Sequence, residues 1–69
     1  MRSPHFAFGV NDARAGLPFR ADYENWDGNG QWNYERGRQW AMRAPRRVAL
    51  KIRGKLNPVA IRWYGVHIL

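Results

Sequence analysis

Apolar residues recur at helical spacing in the first stretch of the chain, SPHFAFGVNDARAGLP. They are Phe6, Val10 and Ala13, with Leu17 just beyond. Ser3 can cap a helix here and Pro4 fits its first turn, while Gly16 and Pro18 end the pattern. Gly9 inside this helix costs about 1 kcal/mol relative to alanine, which is usual where another backbone or a large ring packs closely. We therefore expect a short helix with Gly9 at a packing position.

A second helical pattern covers QWNYERGRQWAMRA, roughly residues 30–44, and ends at Pro45. One side carries large and basic residues: Trp32, Arg36, Gln39 or Trp40, and Arg43. Another side carries Tyr34 with small residues suited to close helix packing: Gly37, Ala41 and Ala44. Contact between Gly37 and Gly9 would let the two helices approach each other in a hairpin.

Between the helices, residues 17–30 form a loop that is rich in aromatic residues. Phe19, Tyr23 and Trp26 are too apolar for a free linker, so we expect them to fold back over the helices. The sequence DGNG at the end of this loop indicates a turn or a helix start.

After Pro45 the period of the pattern changes from helical to two. In RRVALKIRG, apolar residues alternate with exposed or basic ones, which predicts a half-buried strand with a basic outer face. The apolar positions are Val48, Leu50 and Ile52, and the others are Ala49, Lys51 and Arg53. GKLNP is interpreted as a turn, and VAIRWYGVHIL as a second, antiparallel strand. One side of this strand carries Val59, Ile61 and Trp63, and the other side carries Ala60, Arg62 and Tyr64.

These elements predict an α+β fold in one small domain spanning residues 1–69. A two-helix hairpin occupies residues 1–44, including the aromatic loop, and a basic two-stranded antiparallel β-hairpin occupies residues 45–69. Because an isolated hairpin is marginally stable, its apolar face is expected to lie on the helices. Four Trp, three Tyr and three Phe can supply a minimal core in a chain of 69 residues that has no cysteine to form a disulfide.

The N-terminal residues lack the apolar run of about 7–15 residues that a signal peptide needs. The longest apolar stretch also falls far short of the roughly 20 residues of a membrane span. The absence of cysteine suits a reducing compartment. We therefore expect a soluble cytoplasmic protein with no membrane partner.

Charge is distributed very unevenly between the two halves of the chain. Residues 1–35 contain three arginines and all five acidic residues, whereas residues 36–69 contain nine cations and no acid. An asymmetry of this kind indicates a polyanionic partner, with a solvated basic surface as the alternative. Ten of the twelve cations are arginine, which favours bidentate phosphate contact and stacking on bases.

The sequence offers little for catalysis, and we expect neither an enzyme nor a bound cofactor. Ser3 is the only serine, and the chain has no threonine or cysteine to act as a nucleophile. His5 and His67 lie near opposite ends, away from any cysteine, which argues against a metal site. The acidic residues of the loop lack the regular spacing of a calcium site: Asp22, Glu24 and Asp27.

Basic residues interleaved with aromatic ones are the remaining signal, and they predict a nucleic-acid interface on the second helix and the hairpin. The predicted phosphate contacts are Arg36, Arg38, Arg43, Arg46, Arg47, Lys51, Arg53, Lys55 and Arg62. Tyr64 is the preferred stacking residue for unpaired bases, since it shares a strand face with Arg62. Trp40 and Trp63 could also stack, although tryptophans in such positions more often belong to the core.

Residues 9–42 resemble ribosome modulation factor and related small bacterial and phage proteins. The matching positions in this sequence are Gly9, Ala13 or Ala15, Gly16, Tyr23 or Trp26, Tyr34, Gly37 and Ala41. The resemblance implies a basic two-helix protein that binds small-subunit ribosomal RNA and silences ribosomes. The sequence departs from the family in lacking the usual Pro-aromatic pair in the loop and in adding the hairpin after Pro45.

Three functions remain open from the sequence. The leading one is a regulatory nucleic-acid-binding protein, with RNA, and ribosomal RNA in particular, as the favoured partner. The alternative is a small phage-type inhibitor whose arginines and tryptophans bind an acidic surface of a host protein. A third is a component of a larger assembly, in which the terminal WYGVHIL adds a strand to a neighbour's sheet.

Overall fold

A computed structural model describes residues 4–63 of the chain and shows an α+β fold. Helix α1 spans Pro4–Arg14, and helix α2 spans Gly28–Arg43. Strand β1, Lys51–Ile52, pairs antiparallel with strand β2, Lys55–Leu56. Short 3-10 helices cover Tyr23–Asn25 and Pro58–Trp63. The predicted order of two helices followed by an antiparallel hairpin is confirmed, and among the described residues no helix is long and apolar enough to cross a bilayer.

Helix α1 forms where the apolar spacing predicts it and buries Phe6 and Val10. The backbone leaves the helix after Arg14 and turns at Gly16, which has a φ of 73° that glycine adopts without strain. Leu17, which the sequence places just beyond the helical pattern, follows the end of the helix and is half exposed. The predicted cap, Ser3, lies outside the described residues.

Helix α2 begins at the DGNG sequence. The side chain of Asp27 accepts a hydrogen bond of 2.7 Å from the backbone N–H of Gly30, which makes Asp27 the N-cap. At the other end Ala44 is extended, as the residue before Pro45 must be. Both predicted ends of this helix are therefore confirmed to within two residues.

The two helices cross where their glycines lie. A Cβ atom at Gly9 would overlap the carbonyl oxygen of Tyr34, and one at Gly37 would overlap the carbonyl oxygen of Phe6. Each glycine lies against the backbone of the opposite helix, where there is no room for a side chain. The predicted packing role of both glycines is confirmed.

The loop between the helices packs around the ring of Tyr34, which is completely buried. The rings of Phe19, Tyr23 and Trp26 all lie within 5.1–5.9 Å of the Tyr34 ring, centroid to centroid. Their edge-to-face and tilted geometry is the one that aromatic quadrupoles prefer. The aromatic residues of the loop therefore fold back over the helices, as their apolar character predicts.

A second cluster forms the hydrophobic core and joins the helices to the C-terminal part of the chain. Its buried members are Phe6, Val10, Trp40, Ala44, Val48, Leu50 and Ala60. The indole Nε1 of Trp40 donates a hydrogen bond to the carbonyl oxygen of Ala60 at 2.9 Å. The segment after Pro45 is consequently packed against the helices as the sequence predicts.

The predicted second strand is wrong in its position. Residues 58–63 form a 3-10 helix, and the strand that pairs with β1 is Lys55–Leu56, inside the predicted GKLNP turn. Asn57 causes the change, because its backbone N–H donates to Leu50 while its side chain contacts the carbonyl of Ala49 and the N–H of Val59. These bonds end the ladder and start the 3-10 helix at Pro58, where no N–H is available.

Burial in the hairpin also differs from the expected alternation. Val48 and Leu50 are buried, but Ile52 is half exposed because the two short strands project beyond the core. The predicted apolar side of the second strand is wrong as well, since Val59 and Ile61 are exposed and Ala60 is buried. The part of the expected strand after Trp63 lies outside the described residues.

Candidate nucleic-acid interface

Seven of the predicted phosphate-binding residues are exposed, and all of them lie in the segment from the last residue of α2 to the second 3-10 helix. We call these residues the C-terminal cations: Arg43, Arg46, Arg47, Lys51, Arg53, Lys55 and Arg62. No acidic residue occurs in this part of the chain. Because the domain measures only 32 × 23 × 22 Å, seven like charges on one segment raise its local potential strongly.

The hairpin places three of these cations at its tip. Arg53 and Gly54 form the turn with φ angles of 53° and 80°, the left-handed conformation of a type I′ hairpin turn. Lys51 pairs with Leu56 and Lys55 with Ile52, and paired residues lie on the same face of the ribbon. Each face of the tip therefore carries one lysine and one aliphatic residue. The prediction that basic residues occupy only the outer face is wrong for this part of the hairpin.

Arg38 is held by the aromatic loop instead of pointing freely into solvent. Its guanidinium donates to the carbonyl oxygen of Leu17 at 2.8 Å and to the Tyr34 hydroxyl at 3.2 Å. It also lies 4.8 Å from the centre of the Phe19 ring. This side chain already contacts three groups of the protein. Of the predicted phosphate ligands, Arg38 is therefore the one with the clearest structural role.

Arg36 stacks on Trp32, one helical turn earlier. Its guanidinium lies 5.1 Å from the ring centre and donates to the side chain of Gln39 at 3.1 Å. The Trp32 side chain is 41% exposed, so the pair presents an aromatic face and a cation together. Sequence analysis placed both residues on one side of α2 but did not select Trp32 for stacking. The signal was their spacing of four residues, which brings side chains together on a helix.

The other stacking candidates are placed differently. Trp40 is completely buried in the core, and Trp63 is half buried against it. The interpretation of these two tryptophans as core residues is confirmed. Tyr64 lies outside the described residues.

Arg14 is a cation that sequence analysis did not select. Its guanidinium lies 4.9 Å from the Trp40 ring centre and donates to the carbonyl oxygen of Pro45 at 3.1 Å. In turn Arg46 donates to the backbone oxygen of Arg14 at 2.9 Å. Burial, and then repulsion from Arg46, lowers the pKa of Arg14. Two arginines 32 residues apart thus come together with no carboxylate between them, an arrangement that only the tertiary fold creates.

The acidic residues are used inside the N-terminal half. Asp12 is buried and accepts hydrogen bonds from Arg20 at 2.9 Å and from the Tyr34 hydroxyl at 2.6 Å. The bond from Arg20 outweighs the opposing effect of burial and lowers the pKa of Asp12. Glu35 accepts a hydrogen bond from Tyr23, which raises the pKa of that phenol to about 12. Within residues 4–63 the one ion pair joins Arg20 to Asp12, so no carboxylate there neutralises the C-terminal cations.

Metal-binding side chains do not converge in the part of the chain that the structure describes. Asp27 caps α2, and Asp22 accepts a hydrogen bond from the indole of Trp26 at 3.1 Å. The ring of His5 packs edge-on against Trp26, with 4.7 Å between the ring centres. These three side chains have structural contacts in the aromatic region.

Comparisons with known proteins identified no relative of this chain: no family model, no curated protein and no solved structure matches it. The resemblance of residues 9–42 to ribosome modulation factor therefore stays a prediction. The residues that carry it include Gly9, Tyr34 and Gly37, which lie in the contact between the two helices.

Proposed function

We propose that this chain is a non-enzymatic, cytoplasmic nucleic-acid-binding protein that contacts phosphates through its C-terminal cations. The observation that carries the proposal is seven exposed cations in one segment without an acidic residue. Unpaired like charges repel one another and weaken a fold, whereas a polyanion neutralises them and releases its condensed counterions. Arginine, which makes up five of the seven, adds bidentate phosphate contacts.

A single strand is favoured because the domain also exposes an aromatic surface, and RNA is favoured among single strands because its loops present unpaired bases. The ring of Trp32, backed by Arg36, offers a platform on which an unpaired base can stack. Proteins read single-stranded loops of RNA chiefly by such stacking, whereas bases in a duplex are not accessible to it.

A ribosomal target is the finer form of this proposal, and it rests on the resemblance of residues 9–42 to ribosome modulation factor. A regulatory role in translation follows from the same resemblance. The test is sedimentation of the tagged protein with purified small ribosomal subunits, followed by translation of a reporter in a cell extract. Cosedimentation with reduced translation supports it, and migration at the top of the gradient contradicts it.

Binding of a labelled RNA at increasing salt tests the general proposal. For single strands the logarithm of affinity falls by about 0.7 per neutralised phosphate for each decade of salt, so engagement of all seven cations gives a slope near −5. Fluorescence anisotropy with a single-stranded and a double-stranded RNA of equal length measures both the slope and the strand preference. Negligible affinity at low salt, or an affinity that salt does not change, contradicts the proposal.

A second candidate function is inhibition of a host protein through an acidic surface. The observation that favours it is a group of exposed aliphatic side chains among the cations: Ile52, Leu56, Val59 and Ile61. Protein interfaces combine apolar contacts of this kind with arginine. Affinity capture from nuclease-treated lysate separates the two functions. One stoichiometric protein that survives nuclease treatment favours the inhibitor, and loss of all bound material favours nucleic acid.

A further inference from the structure

A pocket of about 310 Å³ lies between helix α1 and the segment that leads into the hairpin. The buried side chains of Val10 and Leu50 form its apolar part, and exposed Ala49 lies at its edge. Its volume is at the small end of the roughly 300–1,000 Å³ range of ligand sites in proteins. The pocket therefore suits one compact ligand with an apolar part.

Polar and charged groups line the rest of this pocket: Asn11, Arg14 and Lys51. Arg14 is held on Trp40 and Pro45, and its Nε is buried without a hydrogen-bond partner. Arg46 bonds to the backbone of Arg14, which brings a third cation close. Since no carboxylate in residues 4–63 pairs with these cations, the pocket has a positive potential above an apolar surface.

We infer that this pocket binds one unstacked nucleotide of a single-stranded RNA, an inference that rests on the proposed function. The base lies against Val10 and Leu50, and its phosphate is held between Arg14 and Lys51. The side-chain amide of Asn11 can both donate and accept hydrogen bonds, which matches the mixed donors and acceptors on the edge of a base. The protein would then combine diffuse phosphate contacts with one defined nucleotide site.

The charge pattern favours a nucleotide over an uncharged ligand. Arg14 and Lys51 supply positive charge on one part of the lining, which suits the phosphate of a nucleotide. The neighbouring wall is aliphatic and suits its base. Burial, and then repulsion from Arg46, lowers the pKa of Arg14. An anion bound here would offset both the burial of the guanidinium charge and its repulsion from Arg46. A base within a duplex cannot enter the pocket, which ties the inference to single strands.

The first test fills the pocket without changing any charge. Ala49→Leu adds an aliphatic side chain at an exposed position on the edge, and Ala21→Leu adds the same group at an exposed position in the aromatic loop. The probe is a fluorescein-labelled oligouridylate of about ten nucleotides, a length within the site sizes of single-strand binders. We expect Ala49→Leu to raise Kd roughly five- to tenfold and Ala21→Leu to leave it within about twofold.

The second test removes one charge at two matched positions. Lys51 and Lys55 are exposed lysines on the paired strands of the hairpin, but only Lys51 lines the pocket. We expect Lys51→Gln to weaken binding of the oligouridylate about threefold more than Lys55→Gln, and the difference to persist at salt concentrations that screen diffuse contacts. Circular dichroism confirms that both variants keep the fold.

The outcomes separate the pocket from the general function. If the unmodified protein binds the probe but both leucine variants bind alike and both lysine variants lose equal affinity, the pocket is not a nucleotide site. The same result is expected if the pocket holds another ligand, such as a peptide carboxylate, so it overturns the inference while RNA binding stands. If the unmodified protein fails to bind the probe even at low salt, the proposed function is overturned together with the pocket.

Discussion

The indole Nε1 of Trp40 donates a hydrogen bond to the carbonyl oxygen of Ala60, and both residues are completely buried. This bond connects helix α2 to the 3-10 helix Pro58–Trp63 across a sequence separation of 20 residues. It satisfies two polar groups inside the core while the ring of Trp40 supplies its largest apolar surface. Together with the bonds of Asn57 to Leu50 and Ala49, it holds the base of the hairpin on helix α2.

Trp40→Phe is expected to destabilise the protein by about 2–4 kcal/mol, because it leaves a cavity and removes the buried hydrogen bond to the carbonyl oxygen of Ala60. Urea denaturation followed by circular dichroism measures the change in the free energy of unfolding. Trp32→Phe is the matched control, since Trp32 is 41% exposed and its loss is expected to cost less than about 1 kcal/mol. Equal losses in the two variants would contradict the assignment of Trp40 as the central core residue.

The close contact between the helices gives a second prediction. Gly37→Ala places a methyl group on the backbone of Phe6, so the helices must separate or tilt, and we expect a loss of about 1–3 kcal/mol. Gly28→Ala adds the same methyl group at the start of α2, where nothing beyond the adjoining residues and the helix's own backbone lies within 4 Å. That variant is expected to be neutral or to stabilise the helix by up to about 1 kcal/mol. Thermal unfolding of both variants checks the contrast.

Local signals in the sequence were sufficient to predict both helices. The apolar spacing, the DGNG sequence at the helix start and the restriction that Pro45 places on Ala44 all act within one or two helical turns. The packing of the aromatic loop could also be predicted, because three large apolar rings in a short loop lose contact with water when they pack over the helices. These predictions depended on neighbours in the sequence or on simple composition.

The C-terminal part required tertiary information that the alternation of residues does not contain. Asn57 bonds to Leu50 and Ala49 and so ends the strand ladder early, and Ala60 is drawn into the core by Trp40. In the same way, the contacts of Arg14 and Arg38 join residues that are 31 and 21 positions apart. A pattern of cations in the sequence could not distinguish these anchored arginines from the exposed ones.

The contact between Tyr23 and Glu35 predicts a change in alkaline stability. The hydrogen bond to Glu35, followed by burial, raises the pKa of Tyr23 from 10.0 to about 12. Since the raised value belongs to the folded state, the stabilisation is complete below pH 10.0 and is lost as the pH rises toward about 12.

A pH titration followed by NMR of the Tyr23 ring protons measures this shift for Tyr23 separately from the other two tyrosines. Glu35→Gln is expected to bring the pKa of Tyr23 back toward 10.0, because it removes both the carboxylate acceptor and its charge. Glu24→Gln is the matched control, since Glu24 is exposed and has the same charge. A Tyr23 pKa near 10.0 in the unmodified protein would show that the hydrogen bond does not form in solution.

Substitution of Arg53 is expected to change stability and RNA affinity in opposite directions. Its φ of 53° lies in the left-handed region, which an arginine occupies at a cost and an asparagine adopts more readily. Arg53→Asn creates the Asn-Gly pair preferred in type I′ turns, so we expect it to stabilise the protein by up to about 1 kcal/mol. Because one phosphate contact is lost, RNA affinity falls and the salt slope decreases by about 0.7. Arg53→Lys keeps the charge and the left-handed φ, so we expect stability and the salt slope to stay unchanged and RNA affinity to fall less than in Arg53→Asn. Urea denaturation and anisotropy on the same samples measure both effects, and unchanged RNA binding by Arg53→Asn would remove the hairpin tip from the interface.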